Sequence, residues 1–243
     1  MNTNLLRLFT AAVVLAGVAS VGLLPTEGLS AAAATLAVLM VLSVVVGSLS
    51  VRIPGTGLSV TATDVFVFVA LAGETAIAAP LVAAAGTLGT EILSKRRRSL
   101  LRAVFNVATV PAAASAASWL SVLALRSPET LSLDRSVVVL VGAVLYLAVN
   151  LLLVASAVAL EGRRGFLATV AAAGPWTLVS VLASAFVALG LGTLSQSLGA
   201  AAPFLGLALV PLITAYFRVE AQESVIPPRA SELRVAATGS PAC

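Results

Sequence analysis

The length of its uninterrupted apolar runs constrains this chain most. Residues 5–24, 29–49, 100–125, 137–160 and 175–198 each run for twenty residues or more with almost no charged side chain. At 1.5 Å of rise per residue, about 20 helical residues cross a hydrocarbon core of roughly 30 Å. Composition points the same way. A soluble domain carries about 25% charged residues, whereas this chain of 243 residues has 10% charged and 60% hydrophobic residues and a mean hydropathy of +1.10. The expected fold is all-α, a polytopic transmembrane bundle of seven to eight membrane segments that includes one short or broken helix pair.

The breaks between the runs carry turn chemistry. PTEG (25–28) is a tight polar turn in which Pro25 presets the backbone and Gly28 relieves it. Residues 199–203 turn the chain again, and a last span is expected to reach Phe217. Residues 1–217 thus form the membrane domain. The polar, Pro-containing stretch 218–243 has too little apolar surface for a core of its own and is expected to be a flexible cytoplasmic tail. The first run, with Arg7 near its start and small residues near Ala19 and Ser20, has features of a signal peptide, but a second run follows at once and a retained span is expected.

The region 52–102 departs from plain membrane span. It opens with a Gly/Pro loop, RIPGTGLSVTATD, and continues into the run 65–72, which is too short to cross alone. Gly73 and Glu74 interrupt it before the run 74–93. This reads either as one broken helix or as a hairpin whose short first arm packs on the longer second arm. Lys95, Arg96, Arg97 and Arg98 follow directly, and Arg163 and Arg164 close a later span. Excess Lys and Arg mark the cytoplasmic side, so these six residues are topology anchors. The hairpin is favoured because it puts Arg7 and Arg52 on the anchored side. The expected location is the inner (plasma) membrane, with the C-terminus cytoplasmic.

The residue inventory excludes several chemistries. Histidine is absent and the one cysteine is Cys243, which removes His/Cys metal sites, haem ligation, intrachain disulfides and a Ser/His/Asp triad. With 5% aromatic residues, the chain lacks stacking platforms for nucleic acid. No catalytic motif is present, so no enzyme, cofactor or metal is expected. The expected partners are membrane lipid, a small-molecule ligand or a cytoplasmic signalling protein, and a further copy of the chain.

Candidate ligand-binding residues are the polar ones inside apolar runs. An ionisable group in lipid costs several kcal/mol unless it faces a bundle interior or water. Asp64 and Glu74 flank the short run and could orient a cationic or hydroxyl-bearing ligand or carry a proton. The structural alternatives are a helix N-cap at Asp64, after Thr61 and Thr63, and an interfacial turn at Glu74. Asn106 and Asn150 lie deeper in their spans, and each should bond another helix or a ligand. Arg102 shares a face with Asn106, and Tyr146 shares one with Asn150, so a polar seam between the two spans is expected. Ala79, Ala83, Gly86 and Thr90, with Gly89, form a small-residue face suited to close helix packing. Glu91 is expected to pair with Lys95, one turn on.

Four stretches, IPGTGLSVTATDVFVFVALAGETA (53–76), RAVFNVATVPAAASA (102–116), YLAVNLLLVASAVALEGRR (146–164) and AYFRVEAQE (215–223), resemble the N-terminal membrane regions of bacterial signalling proteins. In that family the module precedes a diguanylate cyclase, HD-GYP phosphodiesterase or kinase domain, so the resemblance implies a sensory role. The loop and short run also resemble the substrate-binding subunits of energy-coupling-factor vitamin transporters, although that arrangement tends to put Lys95 outside. The sensor resemblance ends where IPPRASELRVAATGSPAC (226–243) replaces a signalling helix, which paired prolines would break. A standalone sensor-like module, a truncated product and a subunit signalling through a partner all remain readings, and no output activity carries over.

A reporter fused at Gly57 separates the two topologies. The hairpin predicts a cytoplasmic signal, and a periplasmic signal would reject it.

Overall fold

A computed structural model describes residues 3–48, 50–52, 59–73, 75–93, 99–126, 134–162 and 164–198. Among the described residues the chain forms seven α-helices, α1 (Thr3–Gly22), α2 (Leu29–Gly47), α3 (Asp64–Leu71), α4 (Ala78–Leu93), α5 (Leu100–Arg126), α6 (Arg135–Leu160) and α7 (Phe166–Leu198). A two-stranded antiparallel hairpin, β1 (Ser50–Arg52) with β2 (Ser59–Thr61), lies between α2 and α3. Five helices, all except α3 and α4, contain stretches long and apolar enough to cross a membrane. The fold is a helical bundle, and the expected last span to Phe217 lies outside the described residues.

Contacts fix the relative directions of the helices. Gly28, at the start of α2, lies beside Thr75, just before α4, while Thr90 near the end of α4 bonds the carbonyl of Gly47 at the end of α2. The two helices therefore run parallel, which requires α3 to descend between them. Arg102 at the start of α5 meets Glu161 at the end of α6, and Phe9 of α1 stacks near Phe105 with ring centroids 5.9 Å apart. Helices α1, α3, α5 and α7 thus run one way and α2, α4 and α6 the other. One end of the bundle gathers Arg7, Arg102 and Arg164, together with the turns that flank the Lys95 to Arg98 and Arg163 segments, which are themselves outside the described residues. We call this the basic end.

The α2–α4 contact depends on small side chains. A Cβ on Gly89 would stand 2.5 Å from the Val44 carbonyl oxygen and 2.7 Å from its Cα. Without side chains in the way, hydroxyls reach across: Ser43 Oγ donates to Val82 O at 3.1 Å and Thr90 Oγ1 to Gly47 O at 2.8 Å. Ala79 and Ala83 are also buried. The small-residue face of α4 is thus a packing surface, the usual means by which helices approach in lipid.

Helix α3 is enclosed. Val65, Phe66, Val67, Phe68, Ala70 and Leu71 are all buried, and α3 packs against α2, α4, α5, α6 and α7. Eight residues rise only about 12 Å, so α3 is a short arm within the bundle rather than a span. It does not extend upstream into 59–61, because Ser59–Thr61 pairs with Ser50–Arg52 as a strand. Polar β-branched sequence there closes its backbone hydrogen bonds in a hairpin. The return arm starts at Ala78, later than the apolar run suggested. Pro80 in its first turn needs no N–H there, but one more upstream turn would set its ring against a helical carbonyl.

Two further differences have local causes. Gly28 precedes α2 with φ of 74°, which the PTEG turn requires and which other residues resist. Helix α7 runs through Pro175 instead of starting there. Its first turn lies further back, where Thr169 bonds the Gly165 carbonyl through both its amide and its hydroxyl at 3.0 Å. Beyond the proline, Thr177 Oγ1 bonds the Ala173 carbonyl of its own helix at 2.9 Å.

Gly89→Leu should lower the thermal transition of the purified protein severely or prevent folding, because its side chain meets backbone. Gly190→Ala, where nothing lies within 4 Å, should leave the transition within a degree or two. Equal effects would reject the α2–α4 interlock.

Candidate functional site

The polar residues inside the bundle fall into two groups at different depths. The deeper one is built on α3 and α6. Thr63 occupies the N-cap position of α3. Asp64 is the first helical residue rather than the N-cap expected from sequence, and its carboxylate turns to α6, where the Tyr146 hydroxyl donates to Oδ1 at 2.8 Å. Thr61 and Thr63 instead share a hydrogen bond between their own hydroxyls at 2.7 Å. Phe68, one turn below Asp64, holds the edge of the Tyr146 ring, with centroids 5.4 Å apart and planes at 83°. One face of α3 therefore grips both ends of a single tyrosine.

Tyr146 is 1% exposed, and Asp64 is half-buried. Such a carboxylate loses hydration and gains one charge-assisted hydrogen bond, a poor exchange for stability alone. Asn150 follows Tyr146 by one turn on the same face of α6. Its Oδ1 is buried and has no hydrogen-bond partner.

The second group lies at the basic end. Asn106 Nδ2 donates to Glu91 Oε1 at 2.9 Å, tying α5 to α4, and Arg102 Nε donates to Glu161 Oε1 at 2.9 Å, tying α5 to α6. The Arg102 side chain is 43% exposed and that of Glu161 12%, which suits an ion pair at a membrane surface. Judged from the Arg102–Glu161 and Ala117–Gly142 contacts, Tyr146 lies about ten residues, or roughly 15 Å of helix rise, further into the bundle than Asn106.

The expected seam between Asn106 and Asn150 therefore takes another form. Asn106 faces α4, where the Glu91 carboxylate is a stronger acceptor than an amide, and the α6 tyrosine turns to α3. Tyr146 bonds Asp64 and Asn106 bonds Glu91, while Asn150 follows Tyr146 by one turn on α6. Glu74, Lys95, Arg96, Arg97, Arg98 and Arg163 lie outside the described residues, as does any pairing of Glu91 with Lys95. Sequence reasoning missed Phe68 and Glu161. Phe68 stands at i+4 from Asp64, so its shared face was readable, while its aromatic partner was not. Among the described residues no cluster of His, Cys, Asp and Glu has the grouping of a metal site.

No family model, curated protein or solved structure matches the chain.

Tyr146→Phe leaves the Asp64 carboxylate buried without its donor and should cost about 2 kcal/mol in unfolding experiments. Asp64→Asn removes the buried charge while keeping an acceptor for the tyrosine, and should be neutral or stabilising. If Asp64→Asn proved the more damaging change, Asp64 would be a structural strut.

Proposed function

We propose that the chain is a sensory or ligand-binding membrane module without catalysis of its own, with its site at Asp64, Tyr146 and Asn150. The observation that carries this reading is the Asp64–Tyr146 bond at the start of a buried helix too short to span. An apolar α3 capped by a threonine would pack equally well, so the carboxylate is best explained by something it binds. Its resemblance to the membrane regions of bacterial signalling proteins supports the sensory form of this reading. Seven or eight membrane segments, read from the lengths of the apolar runs, and a cytoplasmic basic end and C-terminus, read from the positive-inside rule, complete the proposal.

The interrupted α3–α4 pair favours a second reading, a small-molecule transporter or the substrate-binding subunit of one. Discontinuous helices hold substrate and coupling ions in many transporters.

The test uses the full chain in lipid nanodiscs, screened against a small-molecule library by thermal stability. A ligand at one hundred times its Kd stabilises the folded state by about 2.7 kcal/mol, enough for an upward shift of several degrees. That shift should vanish in Asp64→Asn. A protein that binds nothing in the screen while turning over a substrate would overturn the proposal. Uptake into proteoliposomes that depends on Asp64 would select the transporter reading.

A further inference from the structure

The hydrogen-bonding inventory of the site narrows the chemistry of its occupant. Tyr146 has one hydroxyl proton, and it is committed to Asp64 Oδ1. Asn150 Oδ1, one turn further toward the basic end on the same face, is a buried acceptor with no donor. What the site offers is therefore the second carboxylate oxygen of Asp64, the lone pairs of the tyrosine oxygen and the Asn150 amide, whose Oδ1 lacks a donor and whose Nδ2 can itself donate.

Charge points in the same direction. Among residues whose side chains are described, no cation bonds Asp64, and Arg102 is engaged by Glu161. Arg7 and Arg164 lie at the basic end, and Arg135 opens α6 at the opposite one. A buried negative group discriminates against anions through repulsion and favours a ligand that brings both positive charge and N–H donors. A metal ion fits poorly, since hard cations take six or more oxygens and this site presents about half that number.

Resting on the ligand-binding reading above, we propose that the site takes an organic cation, specifically a primary ammonium group. Its N–H donors meet Asp64 and Asn150, and its charge offsets the carboxylate that Tyr146 orients.

Isothermal titration of the full chain in nanodiscs tests this with three probes of one shape: butylammonium, 1-butanol and butyrate. Butylammonium should bind saturably and at least tenfold more tightly than either of the others. Asp64→Asn should abolish that preference, and Asn150→Ala should weaken butylammonium several-fold, while both variants keep the wild-type elution profile and helix content. Binding of 1-butanol or butyrate in preference to butylammonium would overturn the ammonium assignment and leave the ligand-binding reading standing. Butylammonium binding unchanged by Asp64→Asn would also overturn it. Silence of all three probes, in a protein for which the library screen finds a ligand, would overturn the ammonium assignment alone, whereas silence in both experiments would remove both.

Discussion

The interior of this bundle depends on how closely α2 approaches α4. In lipid, apolar side chains gain little by leaving the surrounding hydrocarbon, so helix contact must come from backbone proximity and hydrogen bonds. Glycine and alanine on α4 supply the first, and Ser43 and Thr90 supply the second. With those two helices parallel, the chain between them has to travel back through the protein. Helix α3 is that return path, and its enclosure by five other helices follows from the connection.

Enclosure then decides what a polar residue on α3 can do. At a membrane surface Asp64 would be a solvated turn residue of no consequence. Placed at the head of an internal helix, it faces α6, and the tyrosine there has an aromatic body for Phe68 and a polar tip for the carboxylate. Packing and electrostatics are joined in one side chain, so the position of the charge is as well determined as the core around it. The polar links at the basic end are of a different kind, since Arg102–Glu161 is partly exposed and holds helix ends together.

Much of the fold was legible because lipid imposes a length on every apolar run. The runs 29–49, 100–125 and 137–160 match α2, α5 and α6 to within two residues at each end. Boundaries failed at prolines: Pro80 delays α4, and Pro175 is absorbed into α7 instead of opening it. The candidate site was legible as a set of residue types and not as a set of pairs. Helical spacing says that Tyr146 and Asn150 share a face, but the neighbour of that face is chosen by packing across 82 positions of sequence. The same reasoning placed Asn106 on a face without revealing that Glu91 stood opposite.

The brevity of α3 also bears on how the protein is made. An apolar helix of about 20 residues can be recognised and released into the bilayer as it leaves the ribosome. Eight residues headed by a carboxylate cannot, because they do not span and they bring a charge with them. Insertion of α3 must wait for α4, and its polar contact must wait longer still, for the synthesis of α6 more than eighty residues later. The order of assembly is thus written into the topology: α2 and the α3–α4 pair come together first, Tyr146 then brings the polar contact, and α7, which also packs against α3, closes the interior.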